Sequence, residues 1–336
     1  MGQDVPACHG VGLVSRGRVW WGVLGCADVA RRRVLPALVT VPGVELVAVA
    51  SRERERAEEF VRGTGAAPVQ GYRELLERDD IDAVYVPLPA GLHAPWIRQA
   101  LLNDKHVLAE KPMTTDLAES RRLVELARSR GLVLRENYMF VHHPSHARIR
   151  EMVAQGSIGE LRSFSATFAI PRRPDRDIRL RPELGGGALL DVGGYPLRAA
   201  QLFLGPGLRV AGAALRPGAS GVDVGGEVIL ESRDGVLAQA GFGLEHHYTS
   251  RYELIGSCGS MLASHVFTPP TTHRPMLRLE VGERQEEILL PAFDQYQAAI
   301  STFVQAIVSG PLVDPTIEAQ AELVSCARSL AGSLHR

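Results

Sequence analysis

Glu110-Lys111-Pro112 follows directly on the apolar run His106 to Ala109. If that run is a buried strand, Lys111 leaves the sheet beside a crevice. An ammonium there can hydrogen-bond a carbonyl oxygen and give it a proton as hydride arrives. Burial can bring a lysine pKa down into a useful range for that task. Glu110 can pair with Lys111 or orient it, and Pro112 fixes the direction of the chain. Asp191 and Tyr195 stand four residues apart in Gly185-Gly186-Gly187-Ala188-Leu189-Leu190-Asp191-Val192-Gly193-Gly194-Tyr195-Pro196. On a helix that spacing puts carboxylate and phenol on one face. They read as an acid and its orienter. The glycines would admit a close neighbour, a sugar or a nicotinamide.

A hydride needs a carrier, and the start of the chain offers a place for one. Val19 to Leu24 reads as a strand buried on both faces. Gly25-Cys26-Ala27-Asp28-Val29-Ala30 follows, with Gly25, Ala27 and Ala30 at the positions of G-x-G-x-x-G/A. Gly25 allows a tight turn, and Ala27 lets backbone N–H groups approach a pyrophosphate. Ala30 lets helix and strand pack closely, and the helix start adds partial positive charge. Cys26 suits the turn by its small size. At the end of the second strand, where NAD sites carry Asp or Glu, this chain has Ser51-Arg52, with Arg56 a turn later. A hydroxyl and guanidinium groups suit a 2′-phosphate, and the missing carboxylate removes a repulsion. The expected cofactor is therefore NADP.

Two clusters read as walls of a substrate pocket. The first is Tyr138, Phe140, His142, His143 and His146. The second is His246, His247, Tyr248 and Arg251 on a late strand edge. His142 and His146 are four apart, but no nearby Asp, Glu or Cys completes a familiar set of ligands, and no metal is expected.

The elements that must position these groups alternate strand and helix up to about Arg135, which indicates a parallel, doubly wound sheet. Its first helix is expected over Ala30 to Val41. After about Phe140 many short strands with turn signals suggest a large, mostly antiparallel open sheet. Helices would cover one face of it, and the other could be an interface. The chain of 336 residues exceeds a usual single core. Its expected division is a loose leader over 1–17, a Rossmann unit over 18–139 and an α+β unit for substrate and oligomerisation over 140–336. A net charge of −1 gives no electrostatic case for nucleic acid or a membrane surface. Cys8, Cys26, Cys258 and Cys326 show no paired spacing, which points to reduced thiols in the cytoplasm.

Taken in order, GCADVA, ASR, YVPLPAGLHAPW, HVLAEKP and GGGALLDVGGYP resemble the glucose–fructose oxidoreductase / inositol dehydrogenase family. RENYMFVHHPSH, EHHYTSRYEL and HVFTPP bring the likeness closest to its NADP-dependent sugar-nucleotide 3-ketoreductases of antibiotic deoxysugar pathways. Where many sugar dehydrogenases of the family have D-x-x-x-H, this chain has Tyr195, which moves the expected role towards giving a proton to a ketone. The resemblance implies hydride transfer from NADPH to carbon 3 of a dTDP-3,4-diketo-2,6-dideoxyhexose. Lys111 is the first candidate proton donor and Tyr195 the second, with Asp191 orienting one of them. It implies that Pro87, Leu88 and Pro89 line the cofactor path and that Leu92 and His93 lie near the nicotinamide. It also implies a homodimer or homotetramer through the second sheet. Two other readings stay open: an NADP-linked dehydrogenase of a free sugar or trans-diol, and a non-catalytic NADP sensor.

Overall fold

Six strands whose side chains are mostly hidden on both faces open the chain: β1 (Val19–Leu24), β2 (Val44–Ser51), β3 (Ala67–Gln70), β4 (Ala83–Val86), β5 (His106–Ala109) and β6 (Leu134–Glu136). The structure, a computed structural model, describes residues 18–309 and 313–333. The expected leader over 1–17, with Cys8, lies outside them. The six strands pair in parallel in the order β3-β2-β1-β4-β5-β6. The order reverses between β1 and β4, and the crevice at such a reversal is where open parallel sheets bind ligands.

Helices α1 (Leu35–Leu38), α2 (Arg54–Val61), α3 (Tyr72–Leu76), α4 (His93–Leu102) and α5 (Leu117–Ser129) connect the strands. Asp116 starts α5 by accepting the Glu119 N–H at 3.0 Å, a conventional N-cap. The first helix departs from expectation. Ala30–Val34 forms a π-helical turn and only Leu35–Leu38 is α-helical. Such wide turns often mark functional sites.

After α6 (Pro144–Ala154) come β7 (Leu161–Ala169), a second π-helical turn (Leu189–Gly193) and α7 (Gly194–Leu204). Then follow β8 (Arg209–Pro217), β9 (Asp223–Glu231), β10 (Leu237–Gly243), β11 (Thr249–Gly256), β12 (Gly259–Ser264), β13 (Met276–Val281) and β14 (Arg284–Leu289). These eight strands form one sheet, β14-β13-β12-β11-β7-β10-β9-β8. Every pair is antiparallel except β7 with β10. The helix that carries Asp191 and Tyr195 thus lies within the long connection between two parallel neighbours. The inner face packs Phe164, Tyr252 and Leu254 under α7, with Phe164 and Phe203 stacked at 5.5 Å. On the outer face Ile229, Leu237, Ile255 and Met276 are exposed.

Helices α8 (Gln295–Ser309) and α9 (Thr316–Ser333) return to the first sheet. Phe303 of α8 meets Trp21 of β1 edge-on at 5.1 Å, and Trp21 is fully buried. Val313 and Ile317 join the core that contains Val107, Leu123 and Leu134.

Candidate active site

The turn after β1 is shaped by Gly25. Its φ is +110°, and a Cβ there would lie 2.8 Å from Leu88 Cδ2. No other residue fits both the backbone and the contact. Its N–H donates to Ala50 O at 2.9 Å, which ties the turn to β2. Ala27, Asp28 and Val29 line a cleft of about 810 Å³. Asp28 is ion-paired with Arg32, which holds its carboxyl below the usual range. Cys26 does not face the cleft. Its thiol lies 3.7 Å from Arg56 O, Arg56 Nη2 donates to Cys26 O at 3.3 Å, and burial pushes the thiol pKa up.

Ser51 is buried at the end of β2, and its Oγ accepts the Glu53 N–H at 3.4 Å. Exposed Arg52 and Arg56 flank it. A hydroxyl and two guanidinium groups fit a 2′-phosphate. The Gly25 turn fits a pyrophosphate beside it.

Pro87, Leu88 and Pro89 line the cleft. Leu92 and His93 do not. His93 is buried, with Nδ1 2.8 Å from Pro112 O and Nε2 2.6 Å from Leu88 O. Both ring nitrogens are committed to backbone, so His93 braces the two loops that form the cleft.

Beyond β5, Glu110 accepts hydrogen bonds from the Tyr85 hydroxyl and Asn137 Nδ2, both 2.7 Å from Oε1. Burial raises its pKa despite these donors and Lys111. The next peptide, Lys111-Pro112, is cis. Lys111 Nζ donates to Asp191 Oδ1 at 2.9 Å and to Asp191 O at 2.7 Å. Asp191 Oδ2 accepts Arg179 Nε at 2.6 Å. Burial alone would raise the Asp191 pKa, but the two cations outweigh it and hold the group at about 2. The carboxylate is therefore ionised at any working pH and locked between two cations.

The glycine run explains how Arg179 arrives. Gly187 has φ +122°, and its N–H donates to Arg179 O at 2.9 Å. A Cβ on Gly187 would also lie 2.5 Å from Asp223 Oδ1, and Asp223 Oδ2 accepts the Leu189 N–H at 2.6 Å. The Arg179 loop and Asp223 are thus pinned to the entry of the helix.

Tyr195 lies one turn after Asp191, 4% exposed and on the cleft wall. Its ring sits 4.7 Å from Phe168, 5.3 Å from Tyr138 and 5.6 Å from Phe267, with Lys111 Nζ 5.3 Å from its centroid. Burial raises the phenol pKa well above the ordinary value, so it stays a proton-bearing group.

Of the expected substrate residues, Asp191, Tyr195 and Tyr248 reach the cleft. The others are not brought there. Tyr138 and Phe140 are buried, and Tyr138 OH is 3.4 Å from Gln320 Nε2. His142 lies beside Thr302 at 3.5 Å, and burial lowers its pKa to about 4. His143 Nδ1 lies 2.7 Å from Ser145 Oγ at the start of α6, and His146 Nδ1 lies 2.9 Å from Tyr252 OH under the sheet. Packing of α6 against the large sheet has taken His146. Arg251 is exposed and pairs in register with Thr167 and Ser264 on the sheet's outer face, because neighbouring Ser250 and Tyr252 point inward. Among the described residues no cluster of three or more His, Cys, Asp or Glu could hold a metal.

The cleft also contains Arg33, Phe168, Arg173, Arg179, Thr268 and Tyr296, none singled out from sequence. The arginine-rich stretch Pro171 to Pro182 just ahead of the glycine run was the available signal for Arg173 and Arg179. Tyr296 had none, since it comes from a helix more than a hundred residues later.

Residues 19–138 match an oxidoreductase family with an NAD-binding Rossmann fold, and residues 146–262 match the GFO/IDH/MocA C-terminal domain. A dTDP-3,4-didehydro-2,6-dideoxy-alpha-D-glucose 3-reductase from Actinomadura kijaniata is 53% identical over 86% of this chain and 87% of its own. One of the same description from Streptomyces violaceoruber is 52% identical over 85% of this chain and 84% of its own. The crystal structure of KijD10, a 3-ketoreductase from Actinomadura kijaniata in complex with NADP and TDP-benzene, superposes with a TM-score of 0.90. It is 50% identical and covers 93% of this chain and 98% of its own.

Proposed function

The chain belongs to the GFO/IDH/MocA oxidoreductase family, and from that premise we propose that it is an NADPH-dependent 3-ketoreductase of dTDP-3,4-diketo-2,6-dideoxyhexoses. The product is the 4-keto-2,6-dideoxy sugar nucleotide. The observation that carries the reading is Lys111, fixed by Asp191 on the wall of a cleft that also contains the dinucleotide turn. NADPH, when bound, supplies the hydride. Gly25, Ala27, Asp28 and Val29 would hold its pyrophosphate, and Ser51, Arg52 and Arg56 would hold its 2′-phosphate. The Pro87–Pro89 loop, braced by His93, shapes the path between them.

The protein's own part is the proton. As C-3 gains hydride, the carbonyl π pair moves to the oxygen, which takes a proton from the Lys111 ammonium, and solvent then restores that proton. Asp191 fixes the ammonium in direction. Tyr195, still carrying its phenolic proton, is the second donor on the same wall. Phe168, Tyr248 and Tyr296 share the cleft with it and offer aromatic surface to a sugar ring.

We assign cofactor binding to residues 18–139 and substrate binding and pairing to 140–336, with α8 and α9 completing the core of the first unit. The exposed Ile229, Leu237, Ile255 and Met276 on the outer face of the large sheet support pairing of two chains there, which sedimentation measures. Among the described residues no helix is long and apolar enough to cross a membrane. Free Cys26, Cys258 and Cys326 support a reducing, cytoplasmic setting, which fractionation tests.

The direct test is NADPH consumption with enzymatically generated dTDP-3,4-diketo-2,6-dideoxyglucose, followed by identification of the product. A 4-keto-2,6-dideoxy product establishes the reading. No consumption, with NADPH binding shown separately, replaces it by a free-sugar or diol dehydrogenase, and oxidation with NADP⁺ is then the assay.

A further inference from the structure

We propose that Arg179 holds the C-4 carbonyl oxygen of the substrate and thereby makes C-3 the carbon that is reduced. The inference rests on the 3-ketoreductase reading. A vicinal diketone presents two adjacent carbonyls of similar reactivity. One oxygen must receive a proton and the other must not.

The cleft offers two cations of opposite proton chemistry, flanking one carboxylate. Lys111 Nζ donates to Asp191 Oδ1 at 2.9 Å, and Arg179 Nε donates to Oδ2 at 2.6 Å. Both side chains line the cleft. An ammonium can release a proton, whereas a guanidinium keeps its protons at any working pH and only donates hydrogen bonds. The neighbouring anion reinforces this, because Asp191 raises the Arg179 pKa further. A carbonyl held by Arg179 is therefore bound without being protonated. Holding O-4 there leaves O-3 to the proton donor.

Arg179 is built to act from a fixed position. Its main-chain carbonyl is tied to Gly187 N at 2.9 Å, and its Nη1 donates to Asp177 Oδ1 at 3.2 Å. Nε is held by Asp191, while Nη2 has no protein acceptor among the described residues. A guanidinium anchored on two sides with one amino group left over is a donor waiting for a ligand oxygen.

The experiment compares two substrates in wild type, Arg179→Gln and Arg179→Lys. One is the dTDP-3,4-diketo sugar, and the other is a dTDP-linked 3-keto analogue with no oxygen at C-4. Product regiochemistry is read by NMR and NADPH affinity by fluorescence. Arg179→Gln should lose at least about tenfold more kcat/KM on the diketone than on the 4-deoxy analogue, as expected for one charge-assisted hydrogen bond. Its diketone product should include the 3-keto-4-hydroxy isomer. Arg179→Lys, which keeps a cation for Asp191, should retain turnover of the analogue yet lose regiochemical purity on the diketone. Equal losses on both substrates with unchanged regiochemistry would overturn the proposal and leave Arg179 as an orienter of Asp191. Failure of the wild type on both substrates, with NADPH bound, would instead overturn the 3-ketoreductase reading itself.

Discussion

Lys111 Nζ meets Asp191 twice, at Oδ1 and at the main-chain oxygen, across 80 residues of sequence. The two contacts differ in kind. The carboxylate contact depends on charge, and the carbonyl contact depends only on where the helix sits. The ammonium is therefore positioned by the fold and strengthened by the anion.

Lys111→Ala should reduce turnover about 10²- to 10⁴-fold, the range for one acid–base group. Asp191 keeps Arg179 as a partner, so the variant should remain folded. Steady-state kinetics on the diketo substrate measure the loss. Near wild-type turnover would hand the donor role to Tyr195, and Tyr195→Phe would then show the large effect.

Asp191 has its folded pKa depressed from 3.8 to about 2. Its stabilising contribution is complete above about pH 4 and is lost as pH falls towards 2, amounting to about 2 kcal/mol. Asp191→Asn should be less stable than wild type at pH 7, because two cations then face each other without an anion. The gap should narrow as pH drops from 4 to 2. Urea melts at several pH values give the comparison.

Ser51→Asp places a carboxylate where the 2′-phosphate is expected. NADPH affinity should fall by roughly ten- to a hundredfold, from repulsion and a lost charge-assisted bond worth about 1.5–3 kcal/mol. NADH affinity should change little. Equal losses for both cofactors in a fluorescence titration would remove Ser51 from the site.

Glu136 accepts the Met113 N–H at 2.7 Å, just after the Lys111-Pro112 peptide, and burial raises its pKa from 4.5 to about 7. A carboxyl with a raised folded pKa costs stability as pH climbs from 4.5 through 7, because the folded state must give up a proton it prefers to keep. Glu136→Gln keeps the acceptor oxygen and removes the ionisation. Its Tm should exceed that of wild type by a few degrees at pH 8, and the difference should vanish below about pH 4.

Local patterns made the strands and both glycine motifs readable from the sequence. β3, β5 and β13 occupy the segments that alternation and apolar runs mark. What alternation cannot carry is which distant strands meet, and the parallel β7–β10 pair depends on that. The two π-helical turns were also hidden, since helical periodicity is nearly the same for α and π over five residues. In the site, Lys111, Asp191 and Tyr195 were visible because chemistry and spacing coincide. Arg179 was not, because its role comes from a loop folded onto Gly187. His143 and His146 misled for the opposite reason. Their polarity suggested a pocket, but Ser145 and Tyr252 each engage one ring nitrogen inside the packing.

The edge-on contact of Phe303 with Trp21 has a consequence for biosynthesis. Strand β1 emerges from the ribosome early, yet the Phe303 ring that packs on Trp21 is made nearly three hundred residues later. Until α8 arrives, the Trp21 indole lacks that ring against it. A nascent chain halted before residue 295 should therefore offer a sticky surface to chaperones.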